Sequence, residues 1–452
     1  MAGMAFESAA VPERRLLWQG ACGLWIALAA IMAARTLMSP RNHTVFPIFT
    51  ASAQHWWTDQ PLYAYYPSLD LFRYSPTFAV MMTPFAALGL HTGGIAWSWL
   101  SLAIFAAGLW RFARDVLPEH WSGGRFVSFF AVAAFIALPG IWNSQSNTLV
   151  IGLLLLATSS LIRQCWWTTA LLLSMATWTK LTPLAPALLL CSLRPARLAP
   201  RFVAALILGA LIPFLTRRPD IVLGYYAEWF TQLANSSGTR WPGFRDGWTF
   251  WLAIKQHFDD NPQPFWLTTP IDAIWYRALQ GLSALGTLLW CLWQQVQGTS
   301  ERSSLSTALG MGAAWMLLFG PAVEHTTYVL LAPFMSWALH QKGAWPGGRW
   351  LVYPAFVLIA FLGWDPLVRR LLAKEPLVAA CLPLGSVLFG AWLIGYARCS
   401  RALEGQATAA VEPVSIKYFS RKIAARGLAL PGQAVGSKNK GRLYSWPNPS
   451  IE

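Results

Sequence analysis

Charge is what this sequence has least of. Only 12% of its 452 residues are Asp, Glu, Lys or Arg, about half the ~25% usual for a soluble domain. Together with repeated apolar runs, that deficit excludes an ordinary water-soluble fold and points to an all-α polytopic membrane protein. Cysteine is sparse: Cys22, Cys165, Cys191, Cys291, Cys381 and Cys399 lie within or beside apolar runs. No Cys-x-x-Cys pair exists, so neither a disulfide framework nor a zinc site is expected. There is also no Asp-x-Asp, no glycine-rich phosphate loop and no Ser/His/Asp signature. A metal-assisted nucleotide-sugar site therefore has no support, and no metal or cofactor is expected. Acids are scarcer than bases, 19 against 34. The bases are spread through loops except in the tail 397–452, and a basic juxtamembrane tail suits an anionic cytoplasmic leaflet rather than nucleic acid.

What the chain has instead is about twelve apolar runs, 27 Trp and 30 Pro. The first run, Leu16–Met38, follows Arg14 and Arg15 and is long enough to span; no small-residue cleavage site interrupts it. Runs two to five are read as Ser75–Leu90, Ile95–Leu109, Phe126–Leu138 and Asn147–Ile162. His91-Thr92-Gly93-Gly94 is read as the turn between the second and third. Runs two to four are near 15 residues, short of the ~20 a full span needs, so some are tilted or re-entrant. The sixth run, Trp166–Leu193, contains Lys180, Pro183 and Pro186 and reads either as one kinked helix or as two half-helices. The expected organisation is a cytoplasmic N-terminus (1–15), a transmembrane domain (16–396) and a basic, disordered cytoplasmic tail (397–452). The positive-inside rule supports this orientation weakly. It puts two large loops, about 39–75 and 217–271, on one outer face.

The first of these loops is the expected working surface. It carries Phe46, Phe49, Trp56, Trp57, Tyr63, Tyr65, Tyr66, Phe72 and Tyr74, with His43, His55, Asp59 and Asp70 among them. Amphipathic rings favour the membrane–water boundary. A cavity there suits a lipid-borne substrate, with its tail in the bilayer and its head group at the interface. Sugar transfer from such a head group needs a carboxylate to accept the acceptor proton, cations to stabilise the departing phosphate, and aromatic walls to hold the sugar. Asp59 and Asp70 are candidate bases, although Asp59 also fits a plain turn in Thr58-Asp59-Gln60-Pro61. Arg73 and Tyr74 suit a phosphate or a sugar hydroxyl. Lys180 inside an apolar run is costly and therefore a functional candidate; snorkelling towards an interface is the bland alternative. Gln145 and Asn147, in Ser144-Gln145-Ser146-Asn147, could bond sugar hydroxyls or merely cap a helix. The span count puts that turn on the cytoplasmic side, so reaching the outer cavity would take a re-entrant helix. Glu324-His325 could supply a base or a phosphate contact, or simply favour a helix N-terminus. Asp259-Asp260 reads as a solvated turn.

Several pieces occur in a specific order: Ala51-Ser52-Ala53, Pro61-Leu62-Tyr63, Phe72-Arg73-Tyr74-Ser75-Pro76, Ser144-Gln145-Ser146-Asn147, Thr179-Lys180-Leu181-Thr182-Pro183, and the segment 321–333. Across roughly residues 40–335 this order resembles the polyprenyl-phosphate-mannose-dependent membrane mannosyltransferases of glycosyltransferase family 87 (DUF2029). The resemblance implies a GT-C bundle of about 11–12 transmembrane helices whose first outer loop holds the site. It implies a hexosyl, mannosyl-type donor on polyprenyl phosphate, a glycan or glycolipid acceptor, inversion at the sugar, no required metal and a place in the cell membrane. One position departs. The family's usual aspartate after the first helix falls here on Thr44, which cannot act as a base at neutral pH. Asp70 and Glu324 are the candidate substitutes, with Arg73, Tyr74, Gln145, Asn147, Lys180 and His325 as substrate contacts. A transporter or flippase of lipid-linked sugars, or a non-catalytic binder, is the alternative; no internal repeat supports the transporter.

Overall fold

The fold was taken from a computed structural model. It describes residues 10–42, 44–67, 69–118, 123–235, 270–320, 323–341, 345–362, 364, 370 and 381–402. The chain divides into Met1–Cys399 and Ser400–Glu452; His43, residues 236–269 of the expected loop 217–271 with Asp259-Asp260, and the tail beyond 402 lie outside the described residues, while 219–235 of that loop is helical. Among the described residues there are helices and no strands. Five helical segments among the described residues are long and apolar enough to cross a membrane: Gln19–Met38, Gly89–Val116, Gly123–Trp142, Pro195–Leu215 and Cys381–Ala402.

The first helix, α1, is Ala10–Met38. The expected second span is absent, because the chain there forms two short helices, α3 (Pro76–Met81) and α4 (Thr83–Ala87). Each has a proline in its first turn, where a missing N–H is harmless but continuation of a preceding helix is not. They follow α2 (Phe46–Trp57) at one end of the bundle. Gly89, at φ +75°, closes this segment, and α5 then runs over Gly89–Arg111. Gly93-Gly94 is therefore no turn. A Cβ on Gly93 would lie 2.0 Å from the Phe85 carbonyl oxygen, and one on Gly94 would lie 2.9 Å from Thr36. These glycines are a packing notch for the chain that precedes α5.

A second correction concerns the sixth run, which forms two helices, α8 (Trp166–Thr179) and α9 (Leu184–Leu193). The break at Lys180–Pro183 is enforced by Pro183, which restrains the residue before it from the helical region. The next helix, α10 (Pro195–Leu211), lies parallel to α8. Arg197 and Arg201 stack over Trp166 and Trp167 at one end, and Trp178 Nε1 donates to the Leu206 carbonyl at the other (3.1 Å). The chain thus turns twice between 179 and 195.

One lost crossing and one gained crossing cancel, so the stretch from α5 to the start of α8 runs opposite to the expected topology and α10 does not. Arg111, Arg114 and Arg163 surround Asp115 at 3.1–3.7 Å. Arg125, at the start of α6 (Gly123–Trp142), bonds the His340 carbonyl at this same end (2.8 Å). The turn Asn143–Gln145 lies at the other end, where the Val45 amide donates to the Asn143 carbonyl (3.1 Å). No re-entrant helix is needed to bring Gln145 to the first loop.

The core is built around α7 (Ser146–Ile162), where all but three side chains are buried. The helices α5 and α8 pack along it. Gly108 of α5 and Gly152 of α7 meet so closely that a Cβ on either would approach the other helix's backbone to 2.7–2.8 Å. Small residues of this kind let helices pack closely without a solvent-driven force between them.

Candidate active site

The aromatics of the first loop serve mainly as its core. Phe46, Phe49, Trp56 and Phe72 are buried. Phe49 makes edge contacts with Tyr74 and Phe78 (both 5.0 Å), and Tyr74 stacks on Phe78 at 4.7 Å. Among the described residues, Tyr74 is the ring of this loop that lines the cleft, and Val45, Ile48, Leu71, Leu181 and Leu233 supply aliphatic wall. Asp59 sits away from the cleft in a tight turn at φ +57°. It pairs with Arg217, which also donates to the Trp56 carbonyl, so Asp59 ties the loop to the bundle.

The cleft itself opens at this end of the bundle and encloses about 720 Å³, including solvent at its mouth. Six of the eight candidates meet there: Asp70, Arg73, Tyr74, Gln145, Lys180 and Glu324. They come from four separate stretches of chain. Asp70 is at the rim, its side chain 62% exposed, and lies 3.6 Å from Arg73; it also accepts from the Leu71 amide at 2.7 Å. Ser75 caps α3 and donates to the Trp178 carbonyl (2.6 Å), which fastens the Arg73-Tyr74 stretch to the end of α8. Lys180 ends α8 in extended conformation. It is therefore at a helix break on the cleft floor rather than inside a helix, and its Nζ donates to Asn147 Oδ1 at 3.0 Å.

A hydrogen-bonded chain crosses the back of the cleft. Ser146 Oγ donates to the Tyr74 hydroxyl (3.4 Å), that hydroxyl donates to Gln145 Oε1 (3.4 Å), and Gln145 Nε2 donates to Glu324 Oε2 (2.7 Å). Glu324 Oε2 also accepts from Thr326 Oγ1 (3.2 Å). A reciprocal capping box with Thr327 fixes the Glu324 carboxylate at the start of the 3₁₀ segment His325–Leu331. Asn147 Nδ2 reaches Thr327 Oγ1 at 3.5 Å. Burial, with the Glu324 carboxylate nearby, pushes the Tyr74 phenol well above the ordinary tyrosine range, so it stays a neutral donor at physiological pH.

The other two candidates stand back. Asn147 is fully buried behind the cleft, and His325 is half-buried beside Glu324 without lining it. Thr44, at the departing position, accepts from the Phe46 amide (3.3 Å) at the start of α2. Gln232, from α11 (Pro219–Asn235), also lines the cleft, and no motif or spacing in the sequence marks it. Thr182 lines it too, its hydroxyl buried with no hydrogen-bond partner; its place two residues after Lys180 was the available signal. Among the described residues no His, Cys, Asp and Glu cluster could hold a metal ion.

A model of glycosyltransferase family 87 matches residues 72–321, more than half of the chain. The chain belongs to glycosyltransferase family 87. The match takes in Arg73, Tyr74, Gln145, Asn147 and Lys180. It begins after Thr44 and Asp70 and ends just before Glu324 and His325, a narrower stretch than 40–335. Among solved structures, this family 87 chain is similar to ArnT from Cupriavidus metallidurans bound to undecaprenyl phosphate: 14% identity, 83% of this chain and 78% of that one covered, TM-score 0.36. The apo state of that protein gives 14% identity, 85% and 78% coverage and a TM-score of 0.34. No curated protein sequence matches the chain.

Proposed function

We propose that this multi-pass membrane protein is a hexosyltransferase of mannosyl specificity. It moves a sugar from a polyprenyl-phosphate donor to a hydroxyl of a lipid or glycan acceptor. One observation carries the reading: a single cleft holds two carboxylates, Asp70 and Glu324, and two cations, Arg73 and Lys180. In the transfer the acceptor oxygen attacks the anomeric carbon from the face opposite the phosphate. The new C–O bond forms as the bond to phosphate breaks, and that electron pair leaves on the phosphate. Arg73 and Lys180 stabilise the departing charge. Glu324, whose carboxylate is held in a fixed direction, receives the acceptor proton. Asp70, at the rim beside Arg73, orients that guanidinium. No metal takes part.

The cleft faces outward across the cell membrane. Arg111, Arg114, Arg125 and Arg163 gather at the opposite end, and the end richer in Lys and Arg is cytoplasmic. The test is transfer of label from polyprenyl-phosphate-[labelled mannose] to total lipid extract by membranes carrying the protein. Glu324→Gln should lose about 10²–10⁴-fold in rate, the range of one acid–base group, and Asp70→Asn less. Full activity in Glu324→Gln with loss in Asp70→Asn would move the base to Asp70. A second reading, a non-catalytic binder or transporter of lipid-linked sugar, is favoured by Thr44, which stands where the family's usual acid would be. It requires donor binding with no transfer by the wild type.

A further inference from the structure

Gln145 and Asn147 are the residues a sequence reader would give to the sugar, since amides bond hydroxyls. Their surroundings say otherwise. Gln145 is 2% exposed and Asn147 0% exposed. A side chain so enclosed has almost no surface left for a substrate. Both of its polar ends are also engaged in each case. Gln145 accepts from Tyr74 and donates to Glu324; Asn147 accepts from Lys180 and donates to Thr327.

We infer that Gln145 and Asn147 are positioning residues: two amides on one helix start that set the direction of the Glu324 carboxylate and the Lys180 ammonium. The inference rests on the transfer reading above and revises the role of these two residues within it. The geometry gives the reason for two amides. An amide presents an acceptor oxygen and a donor nitrogen on separate atoms of one short rigid group. Gln145 needs the acceptor for a phenol and the donor for a carboxylate; Asn147 needs the acceptor for an ammonium and the donor for a hydroxyl. The residues lie two apart across the first turn of α7, so the carboxylate and the cation are referred to one rigid element.

That element is itself braced. Ser144, just before Gln145, takes a left-handed φ of +51°, a conformation unfavourable for a residue with a Cβ. Two contacts from α5 hold it: Trp97 Nε1 donates to the Ser144 carbonyl (2.9 Å), and Ser98 Oγ meets Ser144 Oγ (3.2 Å). Both are buried side chains. The kinked turn aims Gln145 back at Tyr74 and Glu324 instead of along the helix axis.

A residue that acts through another has no effect once the other is gone, and this separates positioning from general support of the fold. The test is a pair of double-mutant cycles on purified full-length protein, with thermal unfolding run alongside to confirm folding. In the first cycle, turnover from polyprenyl-phosphate-[labelled mannose] is measured for Gln145→Met, Glu324→Gln and the double variant. Gln145→Met should lower kcat at least tenfold with donor KM changed by less than about twofold, and should cost nothing further beside Glu324→Gln. In the second cycle, equilibrium binding of undecaprenyl phosphate is measured for Asn147→Leu, Lys180→Met and the double variant. Asn147→Leu should weaken binding about tenfold, and should weaken it no further beside Lys180→Met. Additive losses in either cycle overturn the inference, as does a Gln145→Met defect confined to KM. The second cycle needs no turnover. If the wild type transfers no sugar, the transfer reading fails while the binding cycle still decides whether Asn147 sets Lys180.

Discussion

The contact between Gly108 and Gly152 gives the sharpest test of the packing. An added Cβ at Gly152 would lie 2.8 Å from the carbonyl carbon and oxygen of Ile104 and from Phe105 Cα. All three are backbone atoms, so no rotamer change relieves the clash and α5 must move away from α7. Overpacking of this kind costs about 1–3 kcal/mol. Alanine is the better helix former and returns roughly 0.5–1 kcal/mol. Gly152→Ala should therefore lose up to about 2.5 kcal/mol net, with a central value of about 1 kcal/mol. Gly224, in α11, is the matched control: it too is helical, but a Cβ there meets nothing within 4 Å. Gly224→Ala should gain about 0.5–1 kcal/mol from propensity alone. The two substitutions are chemically the same and should act with opposite sign. The assay is the denaturant midpoint of the purified protein in one detergent, read by tryptophan fluorescence. A Gly108→Ala/Gly152→Ala double variant should lose less than the sum, because the first methyl already opens the crossing. If Gly152→Ala follows Gly224→Ala in sign, the close crossing of α5 and α7 is wrong. The transfer assay carries a linked expectation: α5 braces the Ser144 turn, so a displaced α5 should lower turnover in Gly152→Ala and leave Gly224→Ala unaffected.

Other predictions are briefer. Cys165 is exposed in the turn between α7 and α8, at the end opposite the cleft, so an impermeant maleimide should label it in inside-out vesicles and not in intact cells, with Cys165→Ser identifying the signal. Labelling from outside would restore the topology read from hydropathy. The buried Tyr74 phenol holds its proton to higher pH in the folded state than in the unfolded state. The unfolded chain thus loses a proton first, and stability should fall as pH rises above about 10; Tyr74→Phe should flatten that fall in unfolding midpoints measured from pH 9 to 11. Arg217→Gln should increase proteolysis of the first loop more than Asp59→Asn does, because it also abandons the Trp56 carbonyl, whereas the Asp59 pair is exposed and worth about 0–1 kcal/mol. Transfer should be unchanged by a chelator; a loss restored by a divalent cation would refute the metal-free reading.

Much of the site was legible because its residues are chemically out of place. Lys180 in an apolar run, Arg73-Tyr74 after a loop and Glu324 between two runs all carry a visible solvation cost, and all reach the same cleft. The topology was harder, since hydropathy records that a stretch is apolar and not where it turns. Ser75–Leu90 is apolar because α3 and α4 pack on α2 and α5, and Gly93-Gly94 has turn composition because neighbouring chain presses against it. The long run Trp166–Leu193 hides a reversal that Pro183 and Lys180 hint at without giving its direction. The role of Gln145 and Asn147 was out of reach: an amide that touches a sugar and one that holds a carboxylate look identical in sequence, and burial is what separates them. Gln232 carries no local signal at all, since helix periodicity alone cannot say which face meets a cleft.

The brevity of α8 and α9 has a consequence for where chemistry takes place. At 1.5 Å per residue, α8 with its 14 residues is about 21 Å long and α9 with its 10 about 15 Å, against a hydrocarbon layer of about 30 Å. Arg197 stacks on Trp166 at the start of α8, an aromatic–cation pair of the kind that sits at a membrane interface. With that end set at the far interface, the other end, with Lys180, stops roughly 9 Å beneath the near one, and the cleft floor becomes a pit sunk below the head-group plane. In the proposed transfer, a phosphate on a polyprenyl chain would have to be pulled down into that pit, leaving most of its hydration shell above. Water, the competing nucleophile, would be thinned out at that depth, and under the proposed function a hydroxyl presented from a lipid or glycan would have the advantage over it.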